Sequence, residues 1–293
     1  MSALPNILDF RGKTAVITGG GSGIGREMCH LFASRGARVF AADLSKAAAD
    51  ETAATAPCAG GGSCTGIECN VTAGASVEAA FAAMCAGAGN RVDILVNNAG
   101  IGHVGTVLGT EEADIDRVVS VNIKGVFFCS KAAVQAMQAD KKGGVIINMG
   151  SCASVHPIKD RFIYAATKGA INTITTSLAT DFVLDGIRCN QINPGRVHTP
   201  FVDGFLEKFY PGKEEQQFKV LSEYMPMGRM AKPREIANMA CFLASELAEF
   251  ITGASFNVDG GIHGIDHPKI FGISNAHLTP PYSKSTEAPK AKL

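Results

Sequence analysis

The sequence predicts an α/β fold: one domain built on a doubly wound parallel sheet of about seven strands, with helices on both faces. Three observations predict it. Apolar runs of strand length recur at 13–18, 37–42, 66–71, 92–97, 144–149, 187–192 and 254–258, separated by longer helix-compatible stretches. That alternation is the signature of parallel strands joined by crossover helices. The first run passes directly into a glycine-rich turn and then a helix, and no internal repeat or linker divides the 293 residues. Residues 1–265 therefore read as a single domain, with 266–293 as an extension.

The first strand, KTAVITGG, leads into GGGSGIG at 19–25 and then into REMCHLFASRG, a helix that closes at Gly36. Glycines at 19, 23 and 25 let the backbone turn tightly and approach a pyrophosphate, while the helix start offers free N–H groups and its positive dipole end. The spacing is G-x3-G-x-G rather than the commoner G-x-G-x-x-G. The second strand, ARVFAAD, ends in Asp43, placed to accept the hydroxyls of an adenosine ribose. Its charge would oppose the 2′-phosphate of NADP, and Ser22 in the turn is no basic residue to offset it, so the expected cofactor is NAD. The glycine- and alanine-rich stretch 57–66 reads as a flexible loop before the third strand.

After the fifth strand come Ser151 and, thirteen residues later, Tyr164 and Lys168 in YAATK. Four residues make one helical turn, so the phenol and the ammonium share a face. A nearby cation favours phenolate and lowers a pKa that is ordinarily near 10. Such a tyrosine serves as a general acid/base, and Ser151 adds a hydroxyl donor for the same substrate oxygen. The trio suits interconversion of a carbonyl and an alcohol.

With these motifs the chain resembles the short-chain dehydrogenase/reductase family over about Arg11 to Gly261. TGGGSGIG looks like the family's cofactor loop, NNAG at 97–100 its central strand signature, and NPGRVHT at 193–199 its nicotinamide-binding turn. Asn122, Ser151, Tyr164 and Lys168 match its catalytic tetrad. The resemblance implies a Rossmann-like fold, a tyrosine proton donor, and a lysine that tunes Tyr164 and holds the nicotinamide ribose. It also implies an Asn122 that anchors a water in the proton relay, and a homotetramer. Its implied cofactor contacts are Gly19, Ser22, Gly23, Ile24, Gly25, Asp43, Leu44, Asn70, Val71, Asn98, Ala99, Gly100, Pro194, Gly195, Val197 and Thr199, besides Tyr164 and Lys168. One departure is Asn70, where the family commonly has aspartate beside the adenine amino group; asparagine still accepts that hydrogen bond.

Substrate recognition is expected from Ser151, Tyr164, Arg161, Arg196 and His198 and from an apolar lid over about 198–225 that includes Phe201, Val202 and Phe205. Arg161 lies three residues before Tyr164, one turn along the presumed helix, and guanidinium holds carboxylates bidentately. In relatives acting on hydroxybutyrate-like and keto-deoxy sugar acids an arginine at this place binds the substrate carboxylate. The expected reaction is NAD-dependent interconversion of a secondary alcohol and a ketone on a small hydroxy acid or sugar acid. The alternatives are an aldose (fucose-like) dehydrogenase, a 3-oxoacyl thioester reductase, disfavoured by Asp43, and a non-catalytic NAD-binding protein.

Net charge is zero and no basic run precedes the tail, so nucleic acid is not an expected partner. The apolar runs are of strand length, well short of a spanning helix. The start lacks a basic region followed by an apolar core, so a cytosolic or imported protein with free thiols is expected. No cysteine pair forms C-x2-C, and Cys58, Cys64 and Cys69 lack neighbouring histidines, which argues against zinc. Cys152, next to Ser151, is a candidate for oxidation or alkylation. The chain closes on Ala291-Lys292-Leu293, a tripeptide like the S-K-L address read by the peroxisomal import receptor. In a eukaryotic cell this predicts peroxisome or glycosome, and otherwise cytoplasm.

Overall fold

A computed structural model describes residues 8–88 and 91–264; the extension and its terminal tripeptide lie outside the described residues. Seven parallel strands form one sheet: β1 (Thr14–Thr18), β2 (Arg38–Asp43), β3 (Ser63–Glu68), β4 (Ile94–Asn97), β5 (Gly144–Met149), β6 (Ile187–Pro194) and β7 (Ser255–Val258). Their order is β3-β2-β1-β4-β5-β6-β7. The chain builds outward from β1 to β3, then returns to the other side of β1 with β4, so the winding reverses between β1 and β4. A crevice opens at the carboxyl ends of strands at such a switch point.

The strands read as unbroken apolar runs because both faces are covered. Ala15 and Ile17 of β1 face one core with Met28 and Phe32 of α1 (Gly23–Ser34) and Ile236 and Ala240 of α9 (Pro233–Ala244). Val16, between them, faces the other core with Phe81 and Met84 of α3 (Gly74–Ala88) and Ala133 and Met137 of α5 (Gly125–Asp140). The remaining helices are α2 (Lys46–Thr55), α4 (Glu112–Val119), α6 (Phe162–Phe182), α7 (Pro200–Phe209) and α8 (Glu214–Glu223).

Two expected boundaries shift. The third strand spans Ser63–Glu68 rather than 66–71, so the last four residues of the presumed loop are strand. Pairing with β2 begins at Arg38↔Ser63, and the Asn70 side chain accepts from the Thr72 amide at 3.0 Å in a turn that ends the strand. β3 lies at the sheet edge, where polar residues alternate outward and weaken the apolar signal. Arg161, expected inside the helix of Tyr164, is instead its N-cap. Among the described residues no helix is long and apolar enough to cross a membrane, and no group of three or more His, Cys, Asp or Glu is arranged to hold a metal ion.

Candidate active site

The glycine turn after β1 fits a nucleotide because side chains are excluded from it. A Cβ on Gly25 would stand 2.0 Å from the Gly19 carbonyl oxygen, and Gly19 itself sits at φ +64°. Asn98 braces the turn from β4's end, donating to the carbonyls of Thr18 at 2.9 Å and Gly19 at 3.2 Å. Thr18 Oγ1 in turn accepts the amides of Asn98 and Ala99, both at 3.0 Å. Thr18 escaped notice in the sequence, although a hydroxyl residue ending the first strand is visible there.

Asp43 Oδ2 accepts the Gly21 amide at 2.9 Å, and its Oδ1 accepts that of Ser45 at 3.0 Å. Each oxygen keeps a second lone pair, so the carboxylate is held in place while still able to accept two ribose hydroxyls. Leu44 beside it is exposed, and Val71 is buried. Asn70 is more committed than expected, because its Oδ1 accepts from both the amide and the hydroxyl of Thr72. An adenine amino group would have to compete for it. Across the crevice Thr199 packs toward Gly23, Val197 is buried and bridges to Ala231, and Gly195 lies against Asp259. Pro194 is buried, while Ser22 is exposed and Ile24 half-buried.

Asn122 lies in a π-helical turn, Ser120–Lys124, between α4 and α5. The wider turn carries its buried side chain toward the crevice, a usual device at functional sites. Its Nδ2 donates to the Ile101 carbonyl at 3.0 Å and to Thr167 Oγ1 at 3.1 Å, while Oδ1 accepts the Ile101 amide at 2.9 Å. It thus ties the loop after β4 to α6. A Cβ on Gly100 would sit 3.4 Å from both Asn122 Oδ1 and Lys168 Nζ.

Ser151 caps the 3-10 turn Cys152–Ser154: its Oγ accepts the Ala153 amide at 3.1 Å, and its own hydrogen has Cys152 Sγ at 4.0 Å, Tyr164 or a substrate oxygen as acceptor. The pKa of Tyr164 is not lowered as the spacing predicts. Lys168 Nζ donates to the Met149 carbonyl at 2.7 Å, and burial lowers its pKa to about 8. Burial likewise holds Tyr164 above its ordinary value of 10, opposed by the Ser151 hydrogen bond and the positive charge of Arg161. The physical reason is desolvation, which penalises both charged forms and outweighs the opposing groups. Tyr164, Ser151, Asn122 and Lys168 are nevertheless gathered at the ends of β4 and β5.

Arg161 Nη1 donates to the His103 carbonyl at 3.1 Å, and its guanidinium lies over the Phe205 ring, 5.2 Å from the centroid. It joins α7 of the lid to the loop after β4, within electrostatic reach of Tyr164. Phe201 of α7 reaches over Gly102. Arg196 stands over Tyr224 and acts on Cys152, at the wall of the same crevice. His198 pairs with Asp203 at 3.0 Å and packs on Phe218, half exposed. Burial pushes the Cys152 thiol up, so the thiolate that oxidation or alkylation would need is disfavoured there.

A family model described as enoyl-(acyl carrier protein) reductase matches residues 19–263. The 2-keto-3-deoxy-L-fuconate dehydrogenase of Xanthomonas campestris is 36% identical over 253 residues, covering 86% of this chain and 80% of that protein. The chain belongs to the short-chain dehydrogenase/reductase family. The meso-2,3-butanediol dehydrogenase of Serratia marcescens is 36% identical over 262 residues, 89% of this chain and 99% of the relative. The crystal structure of a 3-ketoacyl-(acyl-carrier-protein) reductase from Brucella melitensis, complexed with NADH, superposes with a TM-score of 0.76 at 34% identity, covering 86% and 98% of the two chains. The protein is thus an oxidoreductase of this family. The fold, the glycine turn and the gathered tetrad agree with that membership.

Proposed function

We propose that the protein interconverts a secondary alcohol and a ketone on a small hydroxy acid or sugar acid, with NAD as cofactor. The observation that carries this reading is Arg161, a guanidinium near enough to Tyr164 to stabilise its charge and seated between Phe205 of α7 and the loop after β4. Only one of its contacts is a backbone carbonyl, and a planar fork of five donors suits a carboxylate. The Xanthomonas relative, named for a keto-deoxy sugar acid, supports the same class.

In oxidation Tyr164 takes the hydroxyl proton of the substrate, and in reduction it returns one to the forming alkoxide. Ser151 donates to that oxygen and holds it beside the phenol. Lys168 and Asn122 set the position of α6 against the loop after β4, through Met149, Ile101 and Thr167. The nicotinamide ring, when bound, takes or gives the hydride. Asp43 supports NAD over NADP, since its carboxylate would meet a 2′-phosphate. It does not by itself separate this reading from a 3-oxoacyl thioester reductase, because the Brucella ketoacyl reductase is complexed with NADH.

Arg161→Ala tests the anchor. Loss of a bidentate charge-assisted contact, worth about 1.5–3 kcal/mol, should raise KM for carboxylated substrates roughly 10- to 150-fold with NADH affinity intact. Unchanged KM would remove Arg161 as the anchor.

A further inference from the structure

Beyond β7 the chain turns through Asp259, Gly260 and Gly261 to His263, residues that none of the sequence motifs had singled out. His263 Nδ1 lies 2.7 Å from Asp259 Oδ2, and Asp259 Oδ1 accepts the Gly261 amide at 2.9 Å. Both side chains are nearly enclosed, at 12% and 6% exposure. A carboxylate only accepts, so Nδ1 carries the hydrogen, and Nε2 of the neutral ring is left with a lone pair. That Nε2 is buried and has no hydrogen-bond partner among the described residues. A buried polar atom without a partner requires a reason, and a ligand group is one.

The pair stands against the segment that follows Ser151. The His263 ring packs edge-on against His156, 6.2 Å between centroids, just past the turn that begins at Ser151. Ser151 Oγ lies 4.0 Å from Cys152 Sγ, and that sulfur feels the charge of Asp259. Behind, Asp259 backs onto Gly195, where a Cβ would come 2.8 Å from its Cα. His263 therefore belongs to the wall between the Ser151 turn and the turn after β6. Met225 and Met227, flexible thioethers lying against Gly260, form the yielding part of that wall.

We infer that His263 is a specificity-determining residue whose Nε2 accepts a hydrogen bond from a substrate hydroxyl next to the reacting carbon. Asp259 is the positioning residue that fixes this acceptor tautomer. The substrate class is then a vicinal diol or polyhydroxy acid rather than its deoxy analogue. A site built to hydrogen-bond a hydroxyl rejects a substrate that lacks it, because the site's own group is left unpaired. This inference rests on the proposed reading that the crevice at Tyr164 takes small hydroxy compounds.

The test uses the full chain with two substrate pairs, 2,3-dihydroxybutyrate with 3-hydroxybutyrate and 2,3-butanediol with 2-butanol. His263→Leu should lower kcat/KM about 10- to 100-fold on the dihydroxy member of each pair and leave the monohydroxy member within about threefold. NADH affinity, read by fluorescence, should not change. Histidine ¹⁵N spectra of the wild type should show an Nδ1–H ring whose Nε2 shifts when 2,3-butanediol is added to the NADH complex, and Asp259→Asn should convert it to Nε2–H. Equal losses on both members, or an Nε2–H ring in the wild type, would overturn the assignment. If the wild type oxidises neither pair, the proposed substrate class fails, and the presence or absence of the Nε2 shift still decides for or against His263.

Discussion

Replacing Lys168 by methionine should stabilise the protein while abolishing its turnover. Lys168 is 6% exposed, and burial lowers its pKa from 10.5 to about 8. Each unit corresponds to 1.36 kcal/mol, so keeping the ammonium charged in the folded state costs about 3 kcal/mol. Methionine fills a similar volume without the charge, but strips the Met149 carbonyl of its 2.7 Å donor, an offset of about 1 kcal/mol. At pH 7 the variant should therefore be about 2 kcal/mol more stable. The sign with pH follows from proton counts. Between about pH 8 and 10.5 the unfolded chain holds a proton on this lysine that the folded chain has lost, so wild-type stability rises there by about 1.4 kcal/mol per unit. The variant lacks that slope, and its advantage should vanish and reverse slightly by pH 10.5. Urea unfolding of both proteins from pH 7 to 10.5, at one protein concentration and without cofactor, measures the difference. A variant less stable at pH 7, or parallel pH profiles, would refute the claim that the charge is held against a desolvation penalty.

Tyr164→Phe should lower turnover by about 10²- to 10⁴-fold with NADH affinity unchanged, since it removes the transferable proton but not the ring. Because burial holds Tyr164 above 10, wild-type oxidation, which needs phenolate, should still be rising with pH in the alkaline range, as initial rates would show. Asp43→Ser should raise the kcat/KM ratio of NADP to NAD by about 10- to 100-fold, by removing the charge opposed to a 2′-phosphate while leaving a hydroxyl for Gly21; an unchanged ratio would place cofactor choice elsewhere.

The parts of the site that were legible in the sequence are those fixed by local backbone demands. Gly25 excludes a side chain within its own turn, Asp43 ends its own strand, and Tyr164 and Lys168 lie one helical turn apart. The third strand was misplaced by three residues because its edge position dilutes the apolar run with outward polar residues. The direction of the Tyr164 shift differs from the expectation for another reason: spacing gives proximity, while pKa depends first on burial.

Seven apolar runs sufficed for the parallel sheet, and the glycine turn and the Tyr164–Lys168 spacing, both short-range patterns, pointed to a cofactor end and an acid/base pair. Only the tertiary structure could set Arg161 between Phe205 and His103 and bring His263 against His156, in the segment of Ser151. Those contacts join residues from about 40 to more than 100 positions apart, across the carboxyl ends of different strands. Their geometry comes from the strand order and the lid packing, which no local periodicity encodes.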